Sequence, residues 1–154
     1  MGNYYNFYAA TAGSGDKDFI GEAPDSICPK GWRMVGNEGE KSWMNLFARY
    51  YGGTHQDANS IGVNIDTHFL SSIFSFLRSG HYDWNDGILY SRAWGGYYWS
   101  LYASSLGYAH FFHLNDAWLL YYGNYPKGYG LSLRKSQKYS SYFYYMIKSF
   151  YERL

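Results

Sequence analysis

The chain has 154 residues, enough for one domain that buries about 70% of its unfolded surface. Its formal charge is +1 and only 16% of its residues are charged, so it lacks the basic excess on which binding to nucleic acid or to an anionic membrane rests. Aromatic residues reach 23%, with 20 Tyr beside 18 Gly, a palette that recognition loops use because Tyr gives rigid amphipathic contacts at low entropic cost.

A single cysteine, Cys28, leaves no intrachain disulfide, so stability is expected to come from packing. The sequence reads without a membrane span, without a basic-then-apolar leader and without a glycosylation acceptor.

In chain order, residues 4–10, "YYNFYAA", are aromatic enough to predict a β-strand. A polar, glycine-bearing loop follows from Gly13 to Gly21. "DSICPKGWRM" then gives a short apolar run closed by the turn signal "PKG". Trp43, Leu46, Phe47 and Tyr50 fall at i, i+3, i+4 and i+7, predicting an amphipathic helix that Gly52-Gly53 stops. Residues 54–68 read as loop with some helix. In "FSFLRSGHYDWNDGILYS" the alternation and the "NDG" turn predict short strands.

From Gly96 the pattern predicts strands at roughly 96–101, 108–114 and 129–134. Along 109–114, Ala109, Phe111 and His113 fall on one face and His110, Phe112 and Leu114 on the other. Aromatics lie on both, so one set is expected to fill the core and the other to face solvent or a partner. The tail, 136–154, repeats Tyr139, Tyr142, Phe143, Met146, Ile147, Phe150, Tyr151 and Leu154 at helical spacing, with Lys138, Lys148, Glu152 and Arg153 opposite. Its apolar face is expected to pack on the domain, on a second copy or on a partner protein. The fold class read from these elements is α+β, with short antiparallel strands, one or two helices and an added C-terminal amphipathic helix.

Catalysis needs a nucleophile, a base and an orienting group. Cys28 has no local signature linking it to any histidine and reads as a small core residue. His110 and His113 stand three apart, which in a strand places them on opposite faces and weakens a metal reading. Asp83, Asn85 and Asp86 offer oxygens to calcium, and the same letters make an ordinary Asp-Gly turn. No glycine-rich phosphate loop precedes a helix. The residues therefore predict no enzyme and no cofactor, and no metal unless Asp83, Asn85 and Asp86 hold calcium for sugar binding, a third reading.

Between Gly95 and Tyr129, twelve of 35 residues are aromatic and only Asp116 and Lys127 are charged. The pieces "LYASSLGY" and "NDAWLLYYGNYPKG" carry Gly, Ser, Asn and Pro and read as surface loops. Large exposed apolar patches mark interaction sites, and Tyr and Trp dominate interface hot spots. The expectation is a binding module whose site lies in residues 101–125.

"YYNFYAATAGSG", "DSICPKGWRM", "FSFLRSGHYD", "GGYYWS" and "GYGLSLR" resemble, in order, the landmarks of the Fibrobacter succinogenes major paralogous domain. That group has a C-type lectin fold and includes variable proteins of diversity-generating retroelements. The resemblance covers about residues 3–134. It implies a C-type lectin-like ligand-binding domain over 1–134, with 135–154 a C-terminal helical extension beyond the family's usual end. "GWRM" followed by Val35 stands where the family has "GWRLP".

In the family, "GYYWS" and "GYG-S-R" bracket a segment whose codons are mutated at adenines during reverse transcription. An asparagine codon randomised at both adenines yields Tyr, Phe, Leu, Ser, His, Asp or Gly and never a stop. By this resemblance the variable ligand-binding surface comprises Leu101, Tyr102, Ser104, Tyr108, His110, Phe111, Asp116, Trp118, Leu120, Tyr121, Tyr122 and Tyr125. The tryptophan codon ends in G, so Trp118 fits such randomisation less well than the others.

Trp32, Trp99, Phe112, Leu114, Leu131 and Leu133 would form the core, and Arg134 would hold the scaffold. The implied function is non-enzymatic receptor recognition or adhesion, with the protein displayed on a virion or cell surface. Its partner would be a protein or glycan on a host, prey or partner surface, with no nucleic acid and no membrane insertion. The alternative is a structural or assembly protein that oligomerises through the aromatic surface or the tail helix. The superfamily also holds formylglycine-generating enzymes, which use a pair of cysteines where this chain has one.

Overall fold

A computed structural model describes residues 3–36, 77–115, 119–133 and 135–137, with the backbone alone for 119–122 and 135–137. The helices expected around Trp43–Tyr50 and Tyr139–Leu154 lie outside the described residues. Among the described residues the protein is a small, mostly-strand antiparallel sheet domain with almost no helix. One helix is present there, α1 (Phe7–Ala10). The strands are β1 (Gly21–Glu22), β2 (Trp32–Met34), β3 (His81–Tyr82), β4 (Leu89–Tyr90), β5 (Gly95–Ala103), β6 (Tyr108–Asn115), β7 (Leu119–Pro126) and β8 (Lys135–Gln137).

The centre is a four-stranded antiparallel sheet in the order β1-β5-β6-β7. β5 and β6 form a hairpin in which Tyr97 faces His113, Tyr98 faces Phe112 and Trp99 faces Phe111. Ser104 and Ser105 close it by donating their backbone N–H groups to the Tyr108 carbonyl, at 3.0 and 3.2 Å. The register slips between Trp99 and Ala103. At that irregularity the Leu101 N–H donates to the Val35 carbonyl at 3.1 Å, and the Leu101 carbonyl accepts from the Ala23 N–H at 2.8 Å. The bulge thus ties the hairpin to the N-terminal third of the chain.

β7 corrects the expectation of a loop across 115–128. Its misleading letters have sheet explanations. Gly123 faces Phe111 in the ladder, and a β-carbon built on it would stand 2.7 Å from Phe111 Cζ. The glycine leaves room for the ring. Pro126 ends the strand at the sheet edge, where the missing N–H costs no ladder bond.

Residues 4–10 also depart from the expected strand. Tyr5 makes a single antiparallel bridge to Leu131, and α1 begins two residues later. Asn6 caps it, its Oδ1 accepting the Ala9 N–H at 2.8 Å. Phe7 and Ala10, three apart, share the buried side of the turn. The expected strand at 129–134 is replaced by single bridges to three different segments: Gly130 to Tyr82, Leu131 to Tyr5, and Ser132 to Tyr98. β8 pairs with β2 and occupies residues 135–137, where the tail helix was expected to begin.

The short strands on either side of "NDG" are present as β3 and β4, paired His81 to Tyr90 and Tyr82 to Leu89. Just before β3, Gly80 has φ +72°, a conformation open to glycine and costly for a side chain. A β-carbon there would run into the Tyr90 carbonyl oxygen.

Trp99, Phe7, Phe112, Met34, Leu114 and Leu131 are fully buried. Phe7 meets Trp99 edge-on at 5.5 Å, and Trp99 Nε1 donates to the Tyr5 carbonyl at 2.8 Å. Of the expected core, Trp99, Phe112, Leu114 and Leu131 are at its centre, while Trp32 and Leu133 are half-buried. Both faces of β6 are covered, since Phe111 and Phe112 are each buried. Lys127 is fully buried too. Its ammonium donates to the carbonyls of Asp16, at 2.5 Å, and Phe19, at 2.8 Å, pinning the loop before β1.

Candidate functional site

The expected binding residues do not share one environment. Leu101 and Phe111 are each 5% exposed and belong to the core cluster with Trp99 and Leu131. Tyr102, Ser104, Tyr108 and His110 lie at the closed end of the β5–β6 hairpin. Tyr108 is exposed, and the other three are half-buried. The Tyr102 and His110 rings sit 5.0 Å apart across the two strands. Leu106, absent from the expected set, is exposed at the tip of the same hairpin.

Leu120, Tyr121 and Tyr122 fall in β7, where the backbone alone is described, and Asp116 and Trp118 lie outside the described residues. Tyr125 is half-buried and turned into the frame. It stacks on Phe111 at 4.4 Å and meets Tyr129 at 4.6 Å. Burial pushes its hydroxyl pKa up to about 12.

Tyr125 is one member of a ring cluster that the sequence reading missed. His81 from β3 meets Tyr97 at 4.5 Å and Tyr125 at 5.0 Å, and His113 from β6 stacks on Tyr97 at 4.3 Å. Gly95 makes this possible, because a β-carbon there would be 2.9 Å from His113 Nε2 and from Tyr97 Cε2. His81 Nδ1 and His113 Nε2 are buried and find no hydrogen-bond partner among the described residues. Desolvation holds both imidazoles below their ordinary pKa of 6.5, opposed at His81 by Asp83 and reinforced at His113 by His81. Period-two alternation places His113 beside Phe111 on β6, but nothing in the sequence brings β3 across to meet it.

His110 and His113 do not come together: one meets Tyr102 and the other Tyr97. Asp83, Asn85 and Asp86 build a turn. Asp83 Oδ1 accepts from the Asn85 backbone N–H at 2.8 Å and from Asn85 Nδ2 at 3.0 Å, and its Oδ2 accepts the Tyr129 hydroxyl at 2.8 Å. These bonds hold the Asp83 carboxyl below its ordinary pKa, with the Asn85 N–H the largest cause. Asp86 accepts the Ile88 N–H and the Tyr90 hydroxyl, each at 2.8 Å. Among the described residues no three His, Cys, Asp or Glu side chains converge as a metal site. Cys28 is half-buried and packs against the core cluster.

The side chains at the β5–β6 hairpin end can present rings and hydroxyls to a ligand without being needed for the core beneath them. The β3–β4 hairpin adds exposed apolar side chains: Trp84 at 60%, Ile88 at 52% and, just beyond β4, Trp94 at 74%. No protein-family model, no curated protein and no solved structure matches the chain.

Proposed function

We propose that the protein is a non-enzymatic ligand-binding protein for receptor recognition or adhesion. In this reading the domain is C-type lectin-like and a retroelement diversifies its recognition surface. The supporting observation is where the five resembling segments meet. Tyr5 of the first bridges Leu131 of the fifth, Tyr82 of the third bridges Gly130, and Tyr98 of the fourth bridges Ser132. The third and fourth are joined by Gly80 and Gly96. The second donates its Ile27 N–H to the Ala10 carbonyl of the first at 3.1 Å. The segments read as constant are thus those that hold one another. The chain between the fourth and fifth runs out as the β5–β6–β7 meander and carries Tyr102, Tyr108 and His110 at its accessible end.

A surface that varies on a fixed frame must tolerate substitution without loss of the fold. Replacing Tyr102 and Tyr108 together by Ala is expected to lower stability by less than about 1 kcal/mol, as for surface positions. Trp99→Ala should cost about 3–5 kcal/mol. Urea unfolding of the two variants checks both. If the tyrosine pair costs as much as Trp99, those rings hold the frame and the reading fails.

The assembly alternative draws on the exposed Trp84, Ile88 and Trp94. Sedimentation of the chain with and without residues 138–154 distinguishes it: a monomer in both cases removes it.

A further inference from the structure

Register assigns each side chain of the central sheet to a face, because residues opposite one another in a ladder point the same way. Glu22 of β1 pairs with Tyr102 of β5, and His110 of β6 pairs with Asn124 of β7. Between these pairs Ala103 faces Ala109, which brings Tyr102 and His110 side by side, their rings 5.0 Å apart. One side chain from each of the four strands thus stands in a single row. At roughly 4.8 Å between strands the row is about 14 Å long. The residues that alternate with it on β5 and β6, Leu101, Ala103, Ala109 and Phe111, take the other face and belong to the core cluster.

We propose that the row Glu22–Tyr102–His110–Asn124 is the contact line for a protein partner, with Glu22 and Asn124 as specificity-determining residues and a lysine or arginine of the partner set against Glu22. Neither residue is in the expected set. The inference rests on the function proposed above, since it takes the accessible end of the meander as the binding surface.

Exposure along the row follows the anatomy of an interface. The two rings in the middle are half-buried, and Glu22 and Asn124 at the ends are exposed. Aromatic anchors at the centre with polar groups at the rim are the arrangement in which a few residues carry most of the affinity. A row carried by a sheet is also a shallow platform. Small ligands are gripped in concave sites that bury most of their surface, whereas a platform is met face-on by another protein.

The two ends differ in chemistry. Arg33, with its side chain 13% exposed, donates from Nη1 to Glu22 Oε1 at 3.3 Å and orients the carboxylate, which stays 53% exposed. An ionised carboxylate has about four lone-pair sites, so it accepts a second cationic donor beside Arg33, and a charge-assisted bond of that kind is stronger than a neutral one. The Asn124 carboxamide both donates and accepts, which suits partners of varied polarity. The ends differ in origin too. Asn124 falls within residues 95–134, the stretch read as diversified, while Glu22 falls outside it and is a contact that every variant shares.

The test is a phage-displayed library of the full chain, randomised at residues 102, 108 and 110 and selected against lysozyme, a small basic protein. Glu22→Gln and Asn124→Ala are then introduced separately into several independent clones. Each is expected to raise Kd at least about fivefold, and the Glu22→Gln loss should shrink in high salt, as for a screened ion pair. Trp84→Ala, on the β3–β4 hairpin, should stay within about twofold of its parent. Thermal melting of the substituted clones, expected to match their parents, separates lost binding from lost folding. Clones that bind yet lose less than about twofold on either Glu22→Gln or Asn124→Ala would overturn the row while leaving the recognition surface standing. A library that yields no lysozyme binder would overturn both.

Discussion

His81 and His113 are the residues whose chemistry most depends on the fold. Each is neutral because it is buried among rings, and each leaves one nitrogen unpaired among the described residues. Their folded pKa values lie below the ordinary 6.5, so in mildly acid solution the unfolded chain binds more protons than the native one. The stability this neutrality secures is fully present above about pH 6.5 and is lost as pH falls through that value toward the folded pKa values. Asp83 is shifted downward from 3.8, so its contribution disappears only in stronger acid. The midpoint of thermal unfolding should fall between pH 7.5 and pH 5.5. A double variant, His81→Phe with His113→Phe, should show a shallower dependence, because phenyl rings keep the stacking and remove the titration. An equally steep profile in that variant would place the acid sensitivity elsewhere.

The elements show why local letters mislead in an aromatic chain. Strands β5 and β6 were legible because aromatic side chains run through them with few turn residues. β7 was not, since Gly123, Asn124 and Pro126 read as punctuation until a neighbouring strand explains them. Gly123 is a packing glycine, set by the Phe111 ring directly opposite it on the neighbouring strand. Its substitution therefore has a sign that propensity alone gets wrong. Alanine in a strand normally improves on glycine. Here Gly123→Ala should destabilise by about 1–3 kcal/mol, because Phe111 must leave its stack with Tyr125 to make room. Urea denaturation decides it, and a stabilised variant would mean the ring yields freely. At residues 4–10 aromatic content predicted a strand, while the cap at Asn6 and the shared buried side of Phe7 and Ala10 were the weaker signals that prevailed.

At the scale of the whole molecule, the four most deeply buried residues of the predicted core were readable because they are large, apolar and embedded in strand-like runs: Trp99, Phe112, Leu114 and Leu131. The candidate surface was readable only in part. Leu101 and Phe111 share the composition of their neighbours, and only the bulge at 99–103 and the facing Gly123 turn them into the core. The ring cluster around His81 required contacts across more than forty residues of sequence, which no periodicity encodes. What the fold adds is a division of labour, in which segments far apart in sequence clamp one another while the hairpin end between them holds rings the core does not need.

The most direct measurement of that division is made on the gene. The account predicts a near-repeat of the stretch encoding residues 95–134, lying beside a reverse-transcriptase gene and differing from it chiefly at adenines. The differences should gather in codons such as those of Tyr102, Tyr108 and His110 and spare those of Trp99 and Phe112. A gene with no such repeat, or one whose differences fall evenly on frame and surface codons, would contradict a diversified recognition surface and make the aromatic hairpin a fixed interface for one partner.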